Sequence, residues 1–189
     1  MEDLHISKYT LGIQITQKEY YTSLLQDKMI TKILSDLQVE KIKGSTSPLL
    51  SNYQELKDPK LPKPLHPPFN YQRAIGLLQY LAQCTQPNLA FSISFLSQFL
   101  ESPKDRHYQE VIHVLKYLYL TKPLELRLGF KVITHLPEEI ICFTDSDWGG
   151  AKENRCFFGS MNYYHGTLGW RSQKQHVVSL SSAEAKYNA

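Results

Sequence analysis

The chain has 189 residues, of which 42% are hydrophobic and 12% aromatic, enough for one medium domain or two small ones and too many for a disordered tail. A net charge of +3 permits nucleic-acid contact without arguing for it, and no apolar run reaches the roughly 20 residues of a membrane helix. Cys84, Cys142 and Cys156 stand far apart with no CxxC pair, which fits a reducing compartment and no disulfide framework. Cys156 with His165 and His176 is a poor zinc set, and the polar start MEDLHISKY does not read as a signal peptide.

Residues 9–16, YTLGIQIT, alternate apolar and polar side chains and predict a strand. Asp27 is placed to cap a helix over about 28–38, with Met29, Ile30, Ile33, Leu34 and Leu37 on one face. Residues 44–70 read as an extended connection, because Pro59, Pro62, Pro64, Pro67 and Pro68 each remove an amide donor and restrict the preceding residue.

Three helices are expected next. The first covers about 70–83, with Ala74, Ile75, Leu78, Leu81 and Ala82 on a stripe. The second covers about 87–100 and starts at Pro87; Leu89, Ile93, Leu96 and Leu100 line one side, and Phe91, Phe95 and Phe99 the adjacent one. The third covers about 103–120, with Ser102 as cap, Pro103 in first position and Asp105 in the first turn. Tyr108, Val111, Ile112, Leu115, Leu118 and Tyr119 form its predicted buried face.

The pattern changes after 125. Leu126 and Leu128 suggest a short strand, and 139–145, EIICFTD, a buried one. Two more strands follow over 156–165 and 167–178, broken near Gly166 and at RSQKQ. SLSSAEAKYNA then opens a helix capped by Ser181 or Ser182, with Glu184 in its first turn. Helices followed by strands make an α+β chain of two units, with the boundary near 130–138.

The chemistry-bearing residues are TDSDW at 144–148 and SSAEAKY at 181–187. Asp145 ends an apolar strand, and Glu184 opens a helix after two further strands. A meander followed by a helix can lay that helix across the end of the first strand, bringing the two carboxylates face to face. Two carboxylates so placed repel unless a divalent metal lies between them, as in two-metal sites with ions roughly 3.5–4 Å apart. Spacing alone leaves the other reading open: Asp145 as a turn residue and Glu184 as a capping one. Asp147 reads as a loop carboxylate and Trp148 as a packing residue. Arg171 and Lys174 are either phosphate contacts or solvated surface.

The whole chain resembles the reverse transcriptase–ribonuclease H region of copia-type LTR retrotransposons. KYTLGIQI at 8–15 resembles the family's KYFLGIEI, and STSPL at 45–49 its STPL. Residues 71–130, from YQRAIGLLQYLA to LELRLGF, resemble its YRSLIGSLMYLA to VLRYLKGT region nearly throughout. FTDSDWGG resembles YSDADWAGD, and GWRSQKQHVVSLSSAEAKYNA resembles SWSSKKQ-VALSSTEAEYMA.

This resemblance implies an order of domains: 1–43 the end of the polymerase palm and thumb, 44–70 a Pro-rich linker, 71–130 a helical connection bundle, and 138–189 an incomplete ribonuclease H-like mixed sheet. It implies Asp145 and Glu184 as catalytic and metal-ligating residues, magnesium as cofactor and RNA–DNA hybrid as the parent family's partner. An intact polymerase is a further possible partner, and cytoplasm or nucleus the family's location. The family's YVDD carboxylates would lie before residue 1, and its third nuclease aspartate after Ala189. The site is therefore expected to be vestigial. Three departures point the same way: ENRCFFGSMNY at 153–163 replaces DRKSTSGY, Lys186 replaces a second Glu, and Asn88 replaces Asp. Ile140, Ile141, Cys142 and Phe143 are expected to form an exposed apolar edge, making 138–189 poorly ordered or sticky and leaving 66–125 the most stable region.

The leading expectation is a catalytically silent retroelement fragment. The alternatives are a non-catalytic hybrid-binding or scaffolding module, and a ribonuclease H active only when completed by a longer or partner chain.

Overall fold

The computed structural model describes residues 8–39, 43–129, 139–147, 156–164 and 166–189. These form a mixed α/β protein with five α-helices and two antiparallel sheets. The chain divides into two compact units. The first spans Leu25–Glu125 with the chain up to Ile15, and the second comprises Thr16–Leu24 and Leu126–Ala189. The second unit thus takes in a piece from early in the chain, which sequence order assigned to the first block. The expected boundary stretch at 130–138 lies outside the described residues, apart from the division seen at Glu125.

In the first unit, β1 (Tyr9–Thr10) and β2 (Ile13–Gln17) run antiparallel, with Tyr9 opposite Gln14 and Thr10 opposite Ile13. The single strand predicted over 9–16 is therefore a hairpin. It turns at Leu11 and Gly12, at φ 52° and 79°. Two left-handed residues give a turn whose twist matches the flanking strands. Gly12 adopts that conformation freely, whereas Leu11 is strained there, 80% exposed, and held through its carbonyl by the Tyr80 hydroxyl.

Helix α1 (Asp27–Asp36) buries Ile30, Ile33 and Leu34, as its spacing predicts. Asp27 is not its cap: Gln26 holds that position, and Asp27 pairs with Lys122 at 3.2 Å. Gln26 is buried because its side-chain carbonyl accepts the Thr85 hydroxyl proton at 2.7 Å.

The stretch expected as an extended connection is extended only where the prolines are. Before them Tyr53–Lys57 forms a 3-10 turn. Leu56 is 1% exposed, and the Tyr53 ring meets Phe91 and Phe95 edge-on at 5.7 and 5.1 Å. Five residues carry no period to read, so composition alone misassigned them as unpacked.

Helix α2 (Tyr71–Cys84) buries the whole predicted stripe, and Asn70 caps it by accepting the Arg73 amide at 2.8 Å. The helix expected over 87–100 is broken into a 3-10 turn (Pro87–Leu89), α3 (Ala90–Leu96) and a second 3-10 turn (Ser97–Phe99). The Ser92 and Ser97 hydroxyls donate to carbonyls three residues back, at Leu89 and Ser94. Such back-bonds compete with the α-helical pattern at both ends of α3.

Helix α4 (Asp105–Thr121) starts later than expected. Lys104, not Ser102, is the cap residue, and its amide donates to His107 Nδ1 at 2.9 Å. Val111, Val114, Leu115 and Leu118 are fully buried, whereas Tyr119, predicted inside, is 46% exposed. Leu78, Leu81, Leu89, Ile93, Leu115 and Leu118 are all at zero exposure and make the centre of this unit. Each such burial contributes about 1.5–3 kcal/mol.

In the second unit, β3 (Thr22–Leu25) and β4 (Leu126–Leu128) pair with Ser23 opposite Arg127. β5 (Ile141–Asp147), β6 (Phe157–Tyr163) and β7 (Thr167–Lys174) form an antiparallel meander in that order. Gly166, at φ 143°, lets β7 start beside the end of β4, since a Cβ there would sit 2.7 Å from the Gly129 nitrogen. Helix α5 (Ser182–Tyr187) packs on β5.

Candidate functional site

Strand β5 carries Asp145 and Asp147 near its end, and α5 carries Glu184. The register puts Asp145 opposite Gly159, and Gly159 opposite Ser172, so Asp145 has small neighbours across the sheet. Its side chain is 84% exposed. The helix does lie against the first strand of the meander, as the order of elements suggested. The described partner of Asp145, however, is Lys186, whose Nζ stands 3.9 Å from Oδ1.

Glu184 has a different engagement. Ser181 is the cap of α5, and its hydroxyl accepts the Glu184 amide at 3.1 Å. The Glu184 Oε2 in return accepts the Leu180 amide at 2.7 Å. This is a reciprocal arrangement of the capping-box type, in which the carboxylate satisfies a helix-end donor. Residues 184 and 186 lie two apart on a helix, about 200° around its axis, so they cannot both aim at one strand position.

Gln175 and Ser179 fix the approach of α5. The Gln175 amide donates to the Cys156 carbonyl at 2.7 Å, and its Nε2 donates to the Ala185 carbonyl at 2.7 Å. Its Oε1 accepts the Ser179 hydroxyl proton at 3.2 Å. Gln175, Ser179 and Ala185 are all buried. Nothing in the sequence marked Gln175 beyond its place in RSQKQ, which reads as a strand break.

The other predicted residues are scattered. Asp147 is exposed, opposite Phe157. Arg171 is exposed, and Lys174 is half-buried opposite Phe157. Of the weak zinc set, Cys156 is buried and His176 exposed; His165 and Trp148 lie outside the described residues. Among the described residues no group of three or more His, Cys, Asp or Glu side chains is arranged to hold a metal ion. The apolar residues expected at the edge are exposed: Ile140, just before β5, is 66% exposed, and Ile141 and Phe143, on β5 at the outside of the meander, are 37% and 60% exposed. Among the described residues no helix is long and apolar enough to cross a membrane.

Fold and site describe a mixed α/β chain with a meander, a short helix laid on its first strand, and an acidic strand end beneath that helix. Curated relatives give this description a family. Over its whole length the chain is 31% identical to the retrovirus-related Pol polyprotein from transposon RE1 of Arabidopsis thaliana. It is 29% identical to that from transposon TNT 1-94 of Nicotiana tabacum, again over its whole length. A third relative, secreted RxLR effector protein 161 of Plasmopara viticola, is 34% identical over 63% of this chain and 82% of its own. The chain belongs to the family of copia-type retrovirus-related Pol polyproteins. It spans only 12% and 14% of the length of the two polyproteins named. No family model matches the chain, and no solved structure does.

Proposed function

We propose that this chain corresponds to the stretch of a copia-type Pol polyprotein that runs from the end of the reverse transcriptase through the connection into the ribonuclease H, with a ribonuclease H-like unit at 138–189, and that the 189-residue chain alone does not cleave RNA–DNA hybrid. The observation that carries the second part is the pairing of Asp145 with Lys186 while the Glu184 carboxylate caps α5. A two-metal site needs several carboxylates free to face the ions. Here one faces an ammonium and the other serves a backbone amide. Asp145 and Glu184 remain the residues that would hold magnesium in a completed site, and the ion would there polarise the phosphate and activate water.

The test is a hybrid-cleavage assay of the full chain with magnesium or manganese, alongside Asp145→Asn. We expect no cleavage above the variant's background. Metal-dependent cleavage lost in Asp145→Asn would overturn this reading.

A second reading, a non-catalytic hybrid-binding module, is favoured by one row of the sheet. Thr144, Ser160 and Arg171 are directly opposite one another across β5, β6 and β7 and share a face. Hydroxyls beside an exposed guanidinium suit phosphate oxygens. Hybrid binding that weakens steeply with salt and with Arg171→Ala would support it.

A further inference from the structure

Residues 58–69, DPKLPKPLHPPF, join the Tyr53–Lys57 turn to α2. Proline fixes its own φ near −65° and drives the residue before it into the extended region. Asp58, before Pro59, shows the effect at φ −65° and ψ 118°. Leu61, Pro62, Lys63 and Pro64 are two such pairs in succession. All four are therefore confined to extended, polyproline II-like backbone, and the chain passes through them without a turn or bend. A turn at Pro59 and Lys60 precedes them, and a bend at Leu65 and His66 follows.

The segment is pinned at both ends. The Asp58 carboxylate accepts the Lys60 amide at 2.9 Å, and the Asp58 carbonyl accepts the Leu61 amide at 3.3 Å. The Pro62 carbonyl accepts the Asp105 amide at the start of α4, at 3.0 Å. At the far end the Phe69 ring meets Tyr108 at 5.4 Å, and Asn70 caps α2. Between these pins, residues 63–68 make no hydrogen bond to any of the described residues. Exposure follows the three-residue turn of polyproline II. Leu61 and Pro64 are half-buried, whereas Pro62, Lys63, Leu65 and His66 are exposed. Pro62 and Leu65, three apart, make an apolar edge, and Leu65 is 89% exposed. Lys60 and Lys63, also three apart and exposed, make a basic one.

We propose that residues 59–66 are a docking ridge for a second protein, a domain with an aromatic-lined groove and an acidic rim of the kind that reads proline-rich segments. Prolines have no N–H, so the ridge is rich in carbonyl acceptors and short of donors. A matching groove supplies donors, such as tyrosine hydroxyls and tryptophan N–H groups, and lays their rings against Pro62 and Leu65. Carboxylates at its rim would face Lys60 and Lys63. Nucleic-acid phosphates are acceptors themselves, so from this ridge they gain only the two ammonium groups. The backbone of Leu61–Pro64 is already extended and pinned, which lowers the ordering cost of docking.

The experiment uses the full chain labelled with 15N and titrated with a set of purified SH3 and WW domains, some with acidic groove rims. The reporters are the amides of Lys60, Leu61, Lys63, Leu65 and His66. We expect an acidic-rimmed domain to shift these amides and leave Leu78 and Leu115 in the core unmoved. Pro62→Ala with Leu65→Ser should weaken that binding at least about tenfold. Lys63→Glu should weaken it as well and flatten its salt dependence. Pro62→Ala keeps the carbonyl that Asp105 binds. Should it still disturb the segment, Leu65→Ser carries the test alone, because that side chain is exposed. The ridge is overturned if no domain of the set moves these amides, or if binding survives both Leu65→Ser and Lys63→Glu. RNA–DNA hybrid that shifts Lys60 and Lys63 more than any domain does would also overturn it and make the segment a phosphate contact.

Discussion

Replacing Lys186 with glutamate reverses the charge that faces Asp145. Two unit charges about 4 Å apart interact by about 1 kcal/mol at the dielectric of water. Lys186 and Asp145 are 67% and 84% exposed, so their 3.9 Å pair is worth no more than that. A divalent ion on Asp145 would lie about 5 Å from the ammonium and be repelled by roughly 1.5 kcal/mol. Glutamate turns that repulsion into a similar attraction, a change of about 3 kcal/mol that physiological salt cuts to about half. Mn2+ affinity, read from the free-ion paramagnetic resonance signal, should therefore rise about tenfold in Lys186→Glu. Adding Asp145→Asn should reverse most of the gain. A Lys186→Glu chain that binds Mn2+ no better than the parent would refute the electrostatic account, and a gain untouched by Asp145→Asn would put the ion elsewhere.

Leu56→Ala should lower stability by about 2–4 kcal/mol in urea unfolding, because the side chain is buried and a cavity would remain beneath the Tyr53–Lys57 turn. Tyr71→Phe should cost about 1–3 kcal/mol, since the hydroxyl donates to the Leu96 carbonyl at 3.0 Å in a buried site. Glu110 titrates above the ordinary carboxylate value of 4.5 when folded, so the stability it contributes is complete below that pH and is lost as pH rises through its folded pKa. Urea midpoints of Glu110→Gln and the parent should accordingly diverge in the variant's favour at pH 8 and converge near pH 4. Phe143→Thr should reduce concentration-dependent light scattering by removing a 60% exposed ring from an edge strand, and unchanged scattering would move the sticky surface off β5.

Helices α2 and α4 are legible in the sequence because long apolar stripes at helical spacing leave one way to bury them, and Ile75, Leu78, Leu115 and Leu118 lie where that spacing puts them. The meander is legible for a similar reason. The hairpin at Leu11 is not, since a leucine carries no turn signal and its left-handed backbone is imposed by the strands around it. The packing of the Tyr53–Lys57 turn on α4 is invisible for another reason: its contacts join residues about fifty apart, such as Leu56 and His107. At the candidate site, the strand end, the helix and the cap at Ser181 all follow from residue order. The pairing of Asp145 with Lys186 depends on which face of a six-residue helix meets β5, and that is set by Gln175.

Six residues of helix cannot stand alone in water, because nucleating the first turn fixes more backbone than its bonds repay. Gln175 makes α5 possible: its amide binds the carbonyl of Cys156, the residue before β6, and its side chain binds the Ala185 carbonyl within α5. In kinetic terms α5 is expected to form late, because its docking surface on β5 exists only once the meander has paired. Substitutions within it should therefore leave the folding rate alone and speed unfolding instead. On that order Asp145 would meet Lys186, 41 residues along the chain, only in the last step of assembly, and a chain that has paired its meander but not formed its helix would carry a bare acidic strand end.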